Sequence, residues 1–108
     1  MRSIRPIPRS ALPDTMTVRT PLPDGGFEEP QLVCNVRFER TQKVSDDDHR
    51  SADAGQGTVF VDAVNSIGAF DVPAGSRVAV SGHSMMLAES YACCYMFGRV
   101  HHWELKVR

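Results

Sequence analysis

Six of the seven prolines fall within the first thirty residues: Pro6, Pro8, Pro13, Pro21, Pro23 and Pro30. Only Pro73 lies beyond them. Each proline fixes φ and removes a backbone donor, so neither a regular helix nor a long central strand can run through this region. The spacing predicts an extended arm over residues 1–14 and a single domain over 15–108. A short strand is predicted at 15–20, with Met16 and Val18 facing one way and Thr15, Thr17 and Arg19 the other. Asp24-Gly25-Gly26 then supplies turn chemistry.

From Gln31 the pattern changes. Leu32, Cys34, Val36 and Phe38 alternate with Val33, Asn35, Arg37 and Glu39, a period of two that predicts a half-buried strand. Residues 45–57 are polar and aperiodic, and read as a long loop. Further strands are predicted at 58–62 and 77–81. Ser81-Gly82-His83 marks a tight turn, after which residues 85–90 run back as a hairpin partner. The last run, 99–107, places His101, Trp103, Leu105 and Val107 on one face, with His102, Glu104 and Lys106 on the other. Residues 87–97 are ambiguous. Leu87, Tyr91 and Cys94 lie at helical spacing, but the Tyr, Cys and Phe content favours strand or irregular structure. Six or so short strands joined by turns predict a mainly β fold, a small antiparallel barrel or sandwich with a Pro-rich arm and a long polar loop. The expected core is Val36, Phe38, Val59, Val61, Val78, Val80, Trp103 and Leu105.

Composition limits the function. Twelve Lys and Arg against thirteen Asp and Glu leave a net charge of −1, whereas a domain built to neutralise phosphates carries a clear basic excess. No apolar run approaches the roughly 20 residues of a membrane helix. The opening residues, MRSIRPIPRS, lack the apolar stretch of a signal peptide. A soluble protein made in a cytoplasm is therefore expected. The three cysteines are too few and too oddly placed for a disulfide framework, and are expected as reduced thiols serving as small apolar residues.

Sites of chemistry are sparse. His83, Cys93, Cys94, His101 and His102 fall close together, but nothing has the C-x2-C form of a structural zinc site. Neighbours on a strand face opposite ways, so neither Cys93 with Cys94 nor His101 with His102 is expected to hold one ion. One buried and one exposed histidine are expected instead. Ser81-Gly82-His83-Ser84 is not a nucleophile elbow, Asp46-Asp47-Asp48 lacks the calcium-loop pattern, and Gly55-Gln56-Gly57 lacks phosphate-loop context. No catalytic residue, metal or cofactor is expected. Two segments invite contact with partners. Arg2, Arg5 and Arg9 alternate with Ile4, Ile7 and Leu12 along the arm, a pattern suited to docking on a neighbour. Asp46, Asp47, Asp48, His49 and Arg50 concentrate charge in the long loop.

The order of motifs resembles the small minor capsid, or head-closure (stopper), proteins of tailed bacteriophages that infect Gram-positive hosts. The likeness begins with Arg5-Pro6-Ile7-Pro8-Arg9 and Leu12-Pro13-Asp14. It continues through Asn35-Val36-Arg37-Phe38-Glu39 and Thr58-Val59-Phe60-Val61-Asp62 with Asn65-Ser66, then Arg77-Val78 and Gly82. It closes on Val100-His101-His102-Trp103-Glu104-Leu105. Cys93-Cys94-Tyr95 and the 45–57 loop depart from it. The resemblance implies a β-barrel in the virion neck, made in the bacterial host cytoplasm. It also implies a closed ring of roughly a dozen copies, since head-to-tail contacts that fail to close make filaments. The implied neighbours are the portal or adaptor on one side and a tail terminator or tail protein on the other, with no membrane involved. In that setting the loop's aspartates would face packaged DNA in the channel. The alternative from another class is a nucleic-acid- or ligand-binding barrel; within the phage reading it is a different neck or tail component, such as a tail terminator.

Overall fold

Alternating apolar residues hand every second side chain to an interior, and here six such runs share one. The computed structural model describes residues 5–40, 57–94 and 98–108. Its strands are β1 (Asp14–Arg19), β2 (Gln31–Arg40), β3 (Gly57–Asp62), β4 (Arg77–Val80), β5 (His83–Cys94) and β6 (Val100–Val107). All pairings are antiparallel, and the order β1-β2-β3-β6-β5-β4 closes on itself as a barrel. The mainly β barrel expected from the sequence is the fold. The only helix among the described residues is one 3-10 turn, Arg9–Ala11, ahead of β1.

The interior is filled mostly by valine: Val18, Val33, Val36, Val59, Val61, Val72, Val78, Val80 and Val107, with Met16, Met85, Leu87 and Leu105. Barrel diameter falls with strand number, so six strands enclose a narrow space that short β-branched side chains fill. Phe38 and Trp103 are only partly buried and pack against this core from its margin. β2 and β3 approach each other closely at Gly57, opposite Arg40. A Cβ there would lie 2.5 Å from the Glu39 carbonyl oxygen and 2.6 Å from the Phe38 ring. Only glycine lets β2 and β3 meet at that point.

β4 and β5 are joined by two residues, Ser81 and Gly82, between the paired Val80 and His83. Both have positive φ, 51° and 78°, the conformation that matches the twist of a two-residue hairpin.

Three bulges break the period of two. On β2, Asp14 pairs with Val36 and Thr15 with Cys34, which leaves Asn35 as an extra residue. Its φ is 61°, a left-handed value that asparagine tolerates better than most. The face therefore switches at Asn35. Val33 and Val36 both point inward, while Leu32 is 58% exposed and Cys34 half-buried. This corrects the expected single face of Leu32, Cys34, Val36 and Phe38. Ala88 is the extra residue on β5 and His101 on β6. Such bulges add bend and twist, which a small closed barrel needs. The cysteines are free but lie outside the core. Cys34 and Cys93 are half-buried and Cys94 is exposed, so the expectation of core thiols does not hold.

The register also fixes the two ends of the barrel. Arg40 pairs with Gly57, which marks one end of β3. Asp62 closes the other end, about 17 Å away at the usual rise of a strand.

Candidate functional site

The far end of β3 carries a dense polar junction, and Asp62 is its centre. Its side chain is fully buried. One carboxylate oxygen accepts the Ile7 N–H at 2.9 Å; the other accepts the N–H groups of Val64 and Asn65 at 2.9 and 2.8 Å. The Asp62 N–H donates to Ser66 Oγ at 2.9 Å, and Ser66 Oγ donates to the Asn35 carbonyl. The Asn65 side-chain amide donates to the Ile7 carbonyl at 2.7 Å. A buried carboxylate is tolerated when several N–H donors face it, and this one has them. Both backbone polar groups of Ile7 are thus bonded to the turn after β3, which also secures the Asn35 bulge. The turn continues to Ile67, whose backbone pairs with that of Cys34.

The arm is therefore held against its own barrel. Ile7 is half-buried, and Arg5 and Arg9 are exposed. Leu12 is 1% exposed, sealed inside the same chain. That corrects its place among side chains offered to a partner. Asp14 ties this entry down by accepting the Phe38 N–H at 2.9 Å. Arg2 and Ile4 lie outside the described residues, as do Asp46, Asp47, Asp48, His49 and Arg50 of the long loop. Of the expected core, Val36, Val59, Val61, Val78, Val80 and Leu105 are at most 2% exposed.

Next to the arm anchor, the β5–β6 hairpin carries a second cluster. His101 Nε2 lies 2.7 Å from the Arg5 carbonyl oxygen, His101 Nδ1 lies 2.8 Å from His102 Nδ1, and His102 Nε2 lies 3.2 Å from Glu104 Oε2. Adjacent residues on a regular strand would not touch. The bulge at His101 re-aims its ring, which stands edge-on to His102 at 5.0 Å between centroids. Instead of one buried and one exposed histidine, both are half-buried and bonded to each other. Cys93 sits directly across from His102 in the β5–β6 register, and its thiol donates to Glu104 Oε2 at 3.6 Å. Burial raises the Cys93 thiol above its ordinary pKa; the Glu104 charge, the hydrogen bond to Glu104 and neighbouring Cys94 push it the same way. Cys93, His102 and Glu104 each present a ligand-type atom, all within 4.8 Å of one another. The sequence reading missed this trio because the cross-strand register brings Cys93 to His102, while Glu104 follows two residues on along the same strand.

The remaining polar surface is less organised. An open groove between β3, β5 and β6 is lined by Thr58, Glu89, Lys106 and Arg108 among others. It contains neither thiol nor imidazole.

A valine-filled closed barrel with a proline-rich arm strapped to its outside is a structural framework, with its specific chemistry concentrated where the arm attaches. Residues 24–107 match the sequence model of a family described as minor capsid protein. The chain belongs to this phage minor capsid protein family, and is a virion component. No curated protein and no solved structure matches it.

Proposed function

We propose that the protein is the head-closure component of the phage neck: a ring of roughly a dozen copies, closed by head-to-tail contacts. The ring joins the portal–adaptor complex to the tail terminator or tail, and helps retain packaged DNA. Family membership supplies the structural role. The observation that carries the finer reading is that the arm anchor at Asp62 and the Arg40–Gly57 pair lie at opposite ends of β3. A ring subunit needs this separation if one end is to meet a neighbour while the other addresses the channel. Arg2, Ile4, Arg5, Ile7 and Arg9 are the arm residues assigned to the neighbouring subunit or adaptor. Asp46, Asp47 and Asp48, repeated around a channel, would repel DNA phosphates at separations below the screening length of about 8–10 Å.

The barrel has a further property that suits assembly. Among the described residues, no strand pairs with 89–94 of β5 on the side away from β6. Edges of this kind are satisfied when a neighbouring copy adds a strand. The reading is tested by packaging DNA into heads in the absence of this protein. Heads that fill and then release their DNA to nuclease fit head closure. Tailless heads that keep their DNA would assign the protein to a later, tail-joining step.

A further inference from the structure

We propose that Cys93, His102 and Glu104 form a zinc site on the outer face of the β5–β6 hairpin. This inference is independent of the neck reading, because it rests only on the chain's own geometry. In a tetrahedral zinc site with ordinary bond lengths, imidazole nitrogen and carboxylate oxygen stand about 3.3 Å apart, and thiolate sulfur and carboxylate oxygen about 3.6 Å. His102 Nε2 and Glu104 Oε2 are 3.2 Å apart, and Cys93 Sγ and Glu104 Oε2 are 3.6 Å apart. All three ligand atoms fit within 4.8 Å of one another. One thiolate, one imidazole and one carboxylate are ligands that zinc accepts. They leave a fourth position for water or for a side chain of another copy.

The hydrogen-bond chain gives a second, separate reason. A carbonyl only accepts, so His101 Nε2 carries a proton toward Arg5. One more proton lies between the two facing Nδ1 atoms. Two neutral imidazoles hold no further proton, so His102 Nε2 turns a lone pair toward Glu104, whose carboxylate also only accepts. The contact needs either one extra proton or a metal cation. With zinc in place, His102 binds through Nε2 and donates its Nδ1 proton to His101, the outer-shell arrangement that orients a metal-bound histidine. The Cys93 thiol loses its proton to solvent as the metal–sulfur bond forms, and no electron changes hands. Through His101 and Arg5, the metal would also stiffen the hold on the arm.

The test is titration of the full-length, reduced, chelator-treated protein with zinc and with cobalt(II). The expected result is one ion per chain, with a sulfur-to-cobalt charge-transfer band in the near ultraviolet. Cys93→Ser should abolish the band, and Glu104→Gln should weaken zinc binding at least tenfold. Cys94→Ser should leave both band and affinity unchanged. Zinc should raise the melting temperature of the wild type but not of Cys93→Ser, with far-ultraviolet circular dichroism checking that each variant is folded. Absence of binding, or equal binding by folded Cys93→Ser, would overturn the site.

Discussion

Asp62 shows how much one side chain can organise. It satisfies three backbone N–H groups across the arm and the following turn, and each donor left unpaired in a buried place costs about 1–3 kcal/mol. Asp62→Ala should therefore lower stability by about 3 kcal/mol in urea unfolding and expose the Ile7 amide to fast hydrogen exchange; a loss under about 1 kcal/mol would refute its central place. At Gly57, an added methyl would meet the β2 backbone at 2.5 Å. Gly57→Ala should cost at least about 2 kcal/mol, since the barrel must open to admit it. Cys93 carries a thiol of raised pKa. Fewer of its molecules are thiolate at mildly alkaline pH, so in metal-free protein it should be alkylated more slowly than a cysteine of ordinary pKa. Mass-spectrometric mapping of the labelled site checks this, and faster labelling at Cys93 would contradict it.

At the scale of elements, what the sequence made legible depended on regularity. Met16 and Val18 were correctly placed because β1 keeps its alternation through both. The same rule failed on β2, because Asn35 inserts a left-handed residue and reverses which side chains face in. It failed again at His101, where a bulge brings neighbouring histidines into contact. A bulge is chosen by tertiary closure, so alternation counted along one strand does not reveal it. The trio on the hairpin was hidden for a related reason, since its members meet only through cross-strand register. The Asp62 junction was half visible: Asn65 and Ser66 stood out as a motif, but not as the clamp on Ile7. The Ser81-Gly82 turn was read directly, and its geometry yields a prediction. Asparagine adopts positive φ more readily than serine, so Ser81→Asn should stabilise the hairpin by about 0.5 kcal/mol, measured by thermal unfolding. A loss of stability would mean that the turn is set by contacts other than its backbone.

For the whole molecule, the organising fact is a closed barrel that anchors its arm at one end of β3 and pairs Arg40 with Gly57 at the other. Because Leu12 is buried and Asp14 bonds the β2 backbone, a truncation that probes the arm must stop short of them. Removing residues 1–9 should leave the barrel folded and reduce incorporation into portal–adaptor assemblies. Normal incorporation of the shortened chain would remove the arm from the interface. The most direct measurement is cryo-electron microscopy of the virion neck at a resolution that separates strands. Head closure predicts six-stranded barrels arranged in a closed ring between adaptor and tail, with the Arg40–Gly57 end turned to the channel. The same barrels found elsewhere in the particle, or with that end on the outer rim, would contradict it.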